Sequence, residues 1–250
     1  MRIVAIIPVR FGSTRFPGKP LALISGRPMV EHVYRRAAAC GELSEVVAAT
    51  DDERIFACVN GFDGQAVMTR DSHASGTDRI AEASEILGLD DRDVVINVQG
   101  DQPLVPPEAL TEMILPLLHD ESLPMSTLMI RIRDPGEVTN PNHVKVVTDA
   151  GGLALYFSRH PIPFYRDAGE GGNVHFKHLG LYAYRAGFIR TFTRLPQGRL
   201  EIAEKLEQLR ALENGYPIRV VETAHDSPEV DTPEDVAIIE SIMTGKSSHG

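Results

Sequence analysis

The chain has 250 residues, a formal net charge of −10, 42% hydrophobic residues and 24% charged ones, the make-up of a soluble globular protein. Its acidic balance argues against a nucleic-acid substrate, and no apolar run approaches the ~20 residues of a membrane span. Cys40 and Cys58, the two cysteines, lack a C-x-x-C pattern and are expected to stay reduced in a cytosolic protein; because the chain starts directly on a strand-like run, no signal peptide is expected.

That run, Ile3-Val4-Ala5-Ile6-Ile7, has the continuous apolar character of a buried parallel strand. Pro8 ends it, having no N–H to give. The loop that follows, P-V-R-F-G-S-T-R-F-P-G-K-P from Pro8 to Pro20, carries Arg10, Arg15 and Lys19 and no acid. The first thirty residues hold five Lys/Arg and no Asp/Glu; with 25 cations and 35 acids in all, the remainder has 20 cations against 35 acids, or −15. A basic, glycine-containing loop on an acidic protein is suited to a small polyanion, with backbone N–H groups and cations converging on phosphates. It has the spacing of neither a Walker loop nor a G-x-G-x-x-G turn.

Gly26-Arg27-Pro28 is expected to start a helix running to about Cys40, with Met29, Val30, Val33 and Ala37 as its apolar stripe. A strand follows at 46–50, a helix opened by Asp51-Asp52-Glu53, and a strand at 65–69. This alternation predicts an α/β fold with a parallel sheet covered on both faces and ligands beyond the carboxyl ends of the strands. Ser75-Gly76-Thr77-Asp78-Arg79 precedes the next helix; it is either an ordinary capped N-terminus or a place where free N–H groups and Arg79 hold an anion. A strand at 93–98 runs into Gln99-Gly100-Asp101, which sets an aspartate at a strand end where it can hold a divalent metal or make a local turn bond. A helix is expected over 106–118.

The middle of the chain predicts added mixed or antiparallel sheet: strands at 125–131, 143–148, 153–157 and 177–184, with turns at Asp134-Pro135-Gly136 and Gly151-Gly152. The polar, glycine-rich stretch 164–173 is expected to be a mobile loop. A single helix is expected over 200–214, with Ile202, Leu206, Leu209 and Leu212 on one side, then a last strand at 218–222. Thr232 caps a final helix reaching about Met243, and Asp231 precedes that cap, where it can face the same cleft as Asp101. The tail 244–250 is expected to be disordered.

Several stretches resemble one enzyme family, the 3-deoxy-manno-octulosonate (Kdo) cytidylyltransferases. They are R-x-x-S-T-R-x-P-G-K-P from Arg10, H-x-S-G-T-D-R from His73, N-V-Q-G-D-x-P from Asn97, A-L-Y-F-S-R at 154–159, K-H-L-G-L-Y-A-Y at 177–184, E-K-L-E-Q-L-R at 204–210 and E-V-D-T-P-E-D at 229–235. The resemblance implies a Rossmann-like nucleotide-diphospho-sugar transferase fold in one domain, 1–243. Within it, about 1–122 would bind nucleotide, about 123–215 would bind sugar and dimerise, and 216–243 would close the domain. The implied reaction joins CTP to a 2-keto-3-deoxy sugar acid, giving the CMP-sugar and pyrophosphate for lipopolysaccharide assembly in a Gram-negative cytoplasm, by a homodimer using Mg²⁺. Carried over by position, Arg10, Ser13, Arg15, Lys19, Ser75, Gly76, Arg79 and Gln99 would bind the nucleotide, and Asp101 and Asp231 the metal. Lys19, Asp101, Asp231 and Arg10 would carry the chemistry. Arg159 would pair with the sugar carboxylate, while Gln99, His178, Tyr182, Glu207 and Gln208 would contact the rest of the sugar. Gln102 stands where most of the family has Glu, and the 164–175 loop is short; both traits are similar to a subgroup that activates 8-amino-Kdo. A catalytically silent nucleotide-sugar sensor on the same fold is the alternative of a different class.

Overall fold

The computed structural model describes residues 1–12, 16–167 and 173–245. The N-terminal apolar run forms β1 (Ile3–Pro8), followed by a 3₁₀ turn at Lys19–Leu21 and a small hairpin of β2 (Leu23–Ile24) and β3 (Arg27–Pro28). Then come α1 (Met29–Ala38), β4 (Glu45–Thr50), α2 (Glu53–Gly61), β5 (Gln65–Met68), α3 (Gly76–Ile86), β6 (Val94–Asn97) and α4 (Pro107–His119). The second half contributes β7 (Met125–Arg131), α5 (Pro135–Thr139), β8 (Lys145–Thr148), β9 (Ala154–Ser158), β10 (Phe176–Arg185) and α6 (Ala186–Phe192). It ends with α7 (Arg199–Glu204), α8 (Leu209–Glu213), β11 (Ile218–Glu222) and α9 (Pro233–Met243).

These strands build a nine-stranded sheet whose main path runs β11-β7-β10-β6-β1-β4-β5, with β8 and β9 attached beside β10. The pairs β1–β4, β1–β6, β4–β5 and β11–β7 are parallel, and β10 runs antiparallel to both β6 and β7. Alternate side chains of β1 serve two cores. Ile3, Ala5 and Ile7 pack with Val33 of α1, Val59 of α2 and Leu110 of α4, whereas Val4 and Ile6 pack with Ile80 of α3 and Phe192 of α6. Every residue from Ile3 to Ile7 is therefore buried, which explains the unbroken apolar run. No helix among the described residues is long and apolar enough to cross a membrane.

Four local expectations are corrected. Helix α1 starts at Met29, after a hairpin: Ser25 and Gly26 both take positive φ, 48° and 82°, the conformation of a two-residue hairpin turn, and Pro28 closes β3. Asp134-Pro135-Gly136 opens the short helix α5, because the Asp134 carboxylate accepts the Gly136 N–H at 2.9 Å and Pro135 suits a first helical position. Helix α6 was not expected; its seven residues bury Phe188, Ile189 and Phe192. The helix expected over 200–214 is two, α7 and α8, broken at Lys205, whose φ of 55° and ψ of 46° are left-handed. Ile202 on the expected apolar side is 51% exposed. Leu206 and Leu209 remain buried across the break, so the apolar spacing hid it. Part of the 164–173 loop and most of the 244–250 tail lie outside the described residues.

β10 carries an irregularity that shapes what lies beyond it. Its register against β7 shifts between Leu179 and Tyr182. The carbonyls freed there are taken by side chains: Gln99 Nε2 donates to the Gly180 carbonyl at 3.1 Å, and the Thr127 hydroxyl donates to that of Leu181 at 2.6 Å. At the other side of β6, Gly100 lets the chain turn against β1. A Cβ there would stand 2.5 Å from Val9 Cγ1 and 3.1 Å from the Pro8 carbonyl. Gly100→Ala is expected to lower Tm by roughly 2–12 °C, from an overpacking cost of about 1–3 kcal/mol at about 2–4 °C each. An unchanged Tm in a thermal melt contradicts this tight approach.

Candidate active site

Beyond the carboxyl ends of β1 and β6 lies a cleft of about 310 Å³. It is lined by Arg10, Lys19, Ser75, Gly76, Arg79, Gln99, Asp101 and Asp231, together with His73, Gly100 and the small apolar residues Pro8, Val9, Pro20 and Ala74. Four separate sequence motifs thus meet in one place, at the sheet edge where ligands of parallel α/β folds bind. Ser13 and Arg15 lie outside the described residues.

Lys19 is the centre of this cleft. Its Nζ donates to Asp101 Oδ2 at 2.7 Å and to the Val230 carbonyl at 2.9 Å, with Asp231 Oδ1 at 4.0 Å. Asp101 and Asp231 are brought together by the Val230 N–H, which donates to the Asp101 carbonyl at 2.9 Å. Val230 itself is fully buried against Ile24, Met29 and Ile239. The neighbouring Gln102 is 1% exposed and its Nε2 donates to Glu229 Oε1 at 3.0 Å, a second tie between the same two segments. The cap of α9 is made by Thr232 and Asp235, whose carboxylate also accepts the Asp231 N–H at 2.8 Å and is held below the usual carboxylate range by these backbone bonds. That leaves the Asp231 carboxylate outside the cap. Two carboxylates converging on one ammonium leave a residual negative charge, and two hard oxygen donors at a phosphate site suit Mg²⁺, which keeps waters and takes substrate oxygens for its remaining positions. Among the described residues no cluster of three or more His, Cys, Asp or Glu forms a protein-only metal cage.

The N-terminus of α3 forms another wall. Ser75 caps it, accepting the Asp78 N–H at 3.1 Å while Asp78 Oδ2 accepts the Ser75 N–H at 3.1 Å, so the ordinary capping reading of this motif holds. Gly76 still lines the cleft. Arg79 also lines it, yet the guanidinium is occupied: Nη2 donates to Asp51 Oδ2 at 2.9 Å and Nη1 to the Thr69 hydroxyl at 2.5 Å. His73, which the sequence reading left out, sits at the same wall with Nε2 bonded to Glu82. It stands first in the motif that contains Ser75, which was the available signal.

The remaining expected residues, Arg159, His178, Tyr182, Glu207 and Gln208, do not line this cleft. They belong to the β9–β10 side and to the break between α7 and α8. The guanidinium of Arg159 donates to three carbonyls: Glu204 at 2.7 Å, Pro141 at 2.9 Å and Lys205 at 3.3 Å. Among the described residues its guanidinium makes no direct ion pair; the Glu204 carboxylate takes the Arg159 backbone N–H, 2.9 Å, and the Ser158 hydroxyl, 2.7 Å, and feels the guanidinium charge beside it. A fixed, half-buried guanidinium outside any direct ion pair can take a ligand carboxylate. The His178 ring packs 5.3 Å from that of Tyr182, and its Nε2 lies 2.8 Å from the Thr127 hydroxyl. That hydroxyl already donates to Leu181, so Nε2 carries the proton and Nδ1 is left as an acceptor. Burial pushes the His178 pKa down to about 3, raises that of Tyr182 with help from the Glu207 charge, and raises that of Glu207 itself. Gln208 is 5% exposed, and its amide nitrogen has no hydrogen-bond partner among the described residues. Two links join this cluster to the cleft: Gln99 to Gly180, and the Thr77 hydroxyl to Glu207 Oε2 at 2.6 Å.

This fold and a cleft that sets cations and metal-type carboxylates at a helix N-terminus define a nucleotidyltransferase. Family comparison specifies it: a model of the cytidylyltransferases matches residues 4–228. A 3-deoxy-manno-octulosonate cytidylyltransferase from Syntrophus aciditrophicus (strain SB) is 54% identical over 98% of this chain and 99% of its own. An 8-amino-3,8-dideoxy-manno-octulosonate cytidylyltransferase from Shewanella halifaxensis (strain HAW-EB4) is also 54% identical, over 96% and 98%. Among solved structures, a CMP:2-keto-3-deoxy-manno-octonic acid synthetase complexed with CTP superposes with a TM-score of 0.92 at 41% identity, covering 98% of this chain and 100% of that one. The chain belongs to the 3-deoxy-manno-octulosonate cytidylyltransferase family.

The depressed His178 pKa has a measurable consequence. The ring stays neutral between pH 8 and pH 5, so its NMR resonances hold constant there; a titration near pH 6.5 contradicts the buried neutral ring. Because the unfolded chain takes up the proton first, this residue's contribution to stability is complete above about pH 6.5 and is lost progressively as pH falls towards about 3. His178→Gln is expected to flatten the Tm–pH curve in that window.

Proposed function

We propose that this protein transfers CMP from CTP to the anomeric hydroxyl of Kdo, releasing pyrophosphate. The observation that carries the reading is the placement of Lys19 between Asp101 and Asp231 in the cleft walled by Gly76 and Arg10. Such a transfer needs in-line positioning and neutralisation of phosphate charge more than covalent catalysis. Arg10 has no ion pair among the described residues and, with Lys19, takes the triphosphate; Lys19 stabilises the charge that builds on the departing pyrophosphate. Asp101 and Asp231 hold Mg²⁺, which when bound supplies charge at the α-phosphate and lowers the pKa of the attacking hydroxyl. Arg159 pairs with the sugar carboxylate, and the acceptors His178 Nδ1 and Glu207 take sugar hydroxyls. Gln99 spans the two halves by its bond to Gly180, placing the sugar beside the α-phosphate. By the family resemblance, the product feeds lipopolysaccharide assembly in the cytoplasm and the working form is a homodimer.

Turnover of CTP, Kdo and Mg²⁺ to CMP-Kdo, read as pyrophosphate release, tests the reading. A tenfold or greater preference in kcat/KM for the 8-amino sugar would replace the substrate and keep the mechanism; roughly tenfold is what one charged contact at the far end of the sugar supplies. Activity with sialic acid alone would sink the assignment. Lys19→Ala is expected to keep the fold and lower kcat about 10²–10³-fold, the usual effect of removing one preorganised donor. Asp101→Asn and Asp231→Asn are each expected to raise the Mg²⁺ concentration for half-maximal rate. An Asp231→Asn enzyme with an unchanged Mg²⁺ requirement removes that residue from the metal.

A further inference from the structure

Thr77 lies in the first turn of α3, is 4% exposed, and does not line the cleft. A threonine hydroxyl near a helix start ordinarily bonds nearby backbone groups. This one reaches across to the break between α7 and α8 and donates to Glu207 Oε2 at 2.6 Å. It is not needed to end the helix, because Ser75 and Asp78 already form a reciprocal cap. The other oxygen of Glu207 faces Arg210 Nη2 at 3.6 Å. Arg210 is itself immobilised, its Nε and Nη2 donating to Glu201 at 2.8 and 2.6 Å and its guanidinium lying 4.9 Å from the Phe192 ring centroid. The carboxylate is thus gripped from two sides by groups that face away from solvent, while its own side chain keeps 33% exposure.

We propose that Thr77 is a positioning residue: its hydroxyl fixes the Glu207 carboxylate in the sugar subsite and ties that subsite to the helix end that faces the nucleotide. This rests on the cytidylyltransferase reading given above. Losing the hydroxyl leaves Glu207 held only by the longer contact to Arg210, free to turn away from the sugar, while the backbone of the Ser75–Asp78 cap is unaltered. The effect therefore falls on the sugar and not on the nucleotide.

Steady-state kinetics with each substrate varied in turn test this in Thr77→Val, Thr77→Ser and Glu207→Gln. Thr77→Val is expected to raise KM for the sugar about ten- to a hundredfold, the worth of one hydrogen bond to a charged group, with KM for CTP changed less than about twofold. Thr77→Ser, which keeps the hydroxyl, is expected to restore the sugar KM to within about threefold of wild type. The double variant Thr77→Val/Glu207→Gln is expected to match Glu207→Gln alone, since both act through one carboxylate. Should Thr77→Val not fold, Thr77→Ala removes the same hydroxyl and carries the same expectations. Equal shifts in the two KM values, no shift in either, or additive effects in the double variant overturn the inference. Those outcomes presuppose a wild type that joins CTP to a keto-sugar acid; a wild type without that activity overturns the functional reading and this inference together.

Discussion

The 2.9 Å hydrogen bond from the Val230 N–H to the Asp101 carbonyl joins the loop after central strand β6 to the segment that leads into the last helix. Together with the bond from Gln102 to Glu229 it brings Asp101 and Asp231, far apart in the chain, to one place. There the two carboxylates bracket Lys19, which adds a bond of its own to the Val230 carbonyl. Burial of Val230 with Ile24, Met29 and Ile239 makes the junction part of a small apolar cluster. Charge alone would not hold it, because partly exposed ion pairs contribute little. Here packing fixes the backbone and the backbone fixes the charges.

The sheet plays the corresponding part on the other side. β10 runs antiparallel within an otherwise parallel path, and its irregularity at 179–182 needs outside partners for its carbonyls. Gln99 and Thr127 supply them, and each belongs to a neighbouring site: Gln99 to the cleft, Thr127 to the His178 ring. Satisfying the backbone thus determines where Gln99 stands, and it gives His178 its tautomer. The break at Lys205 is stabilised in the same manner, by Arg159 bonding the carbonyls of Glu204 and Lys205. Irregular backbone here borrows its rigidity from side chains of neighbouring elements.

Much of this was legible in the residues. The buried strands show as unbroken apolar runs, as at Ile3–Ile7. The Thr232 cap forms as expected, and of the two readings left open for the 75–79 motif the capped helix start is the one that forms, through Ser75. The cleft residues Lys19, Asp101 and Asp231 were found because they sit in motifs at strand and helix ends. Other features could not be found that way. Nothing in E-K-L-E-Q-L-R marks a left-handed Lys205, because the apolar spacing continues through the break and the stabilising bonds come from distant Arg159. Likewise, Arg79 reads as a free cation beside an anion-binding turn, and only the fold reveals Asp51 against it. Tertiary partners decide such cases, and spacing does not record them.

The charge of Arg159, which lies outside any direct ion pair among the described residues, bears on how the fold would respond to an anionic ligand. Its guanidinium N–H groups are satisfied by three carbonyls, so the side chain is fixed, and the neighbouring carboxylate, that of Glu204, is spent on the backbone N–H of Arg159 and on Ser158 and makes no direct ion pair with it. Holding a half-buried charge in this state costs free energy that the fold must bear from its cores. An arriving carboxylate relieves that cost, and a ligand bound only by the folded chain shifts the folding equilibrium in its favour. A carboxylate ligand seated on Arg159 would thus raise the resistance of the folded chain to heat, proteases and denaturants in step with its own concentration.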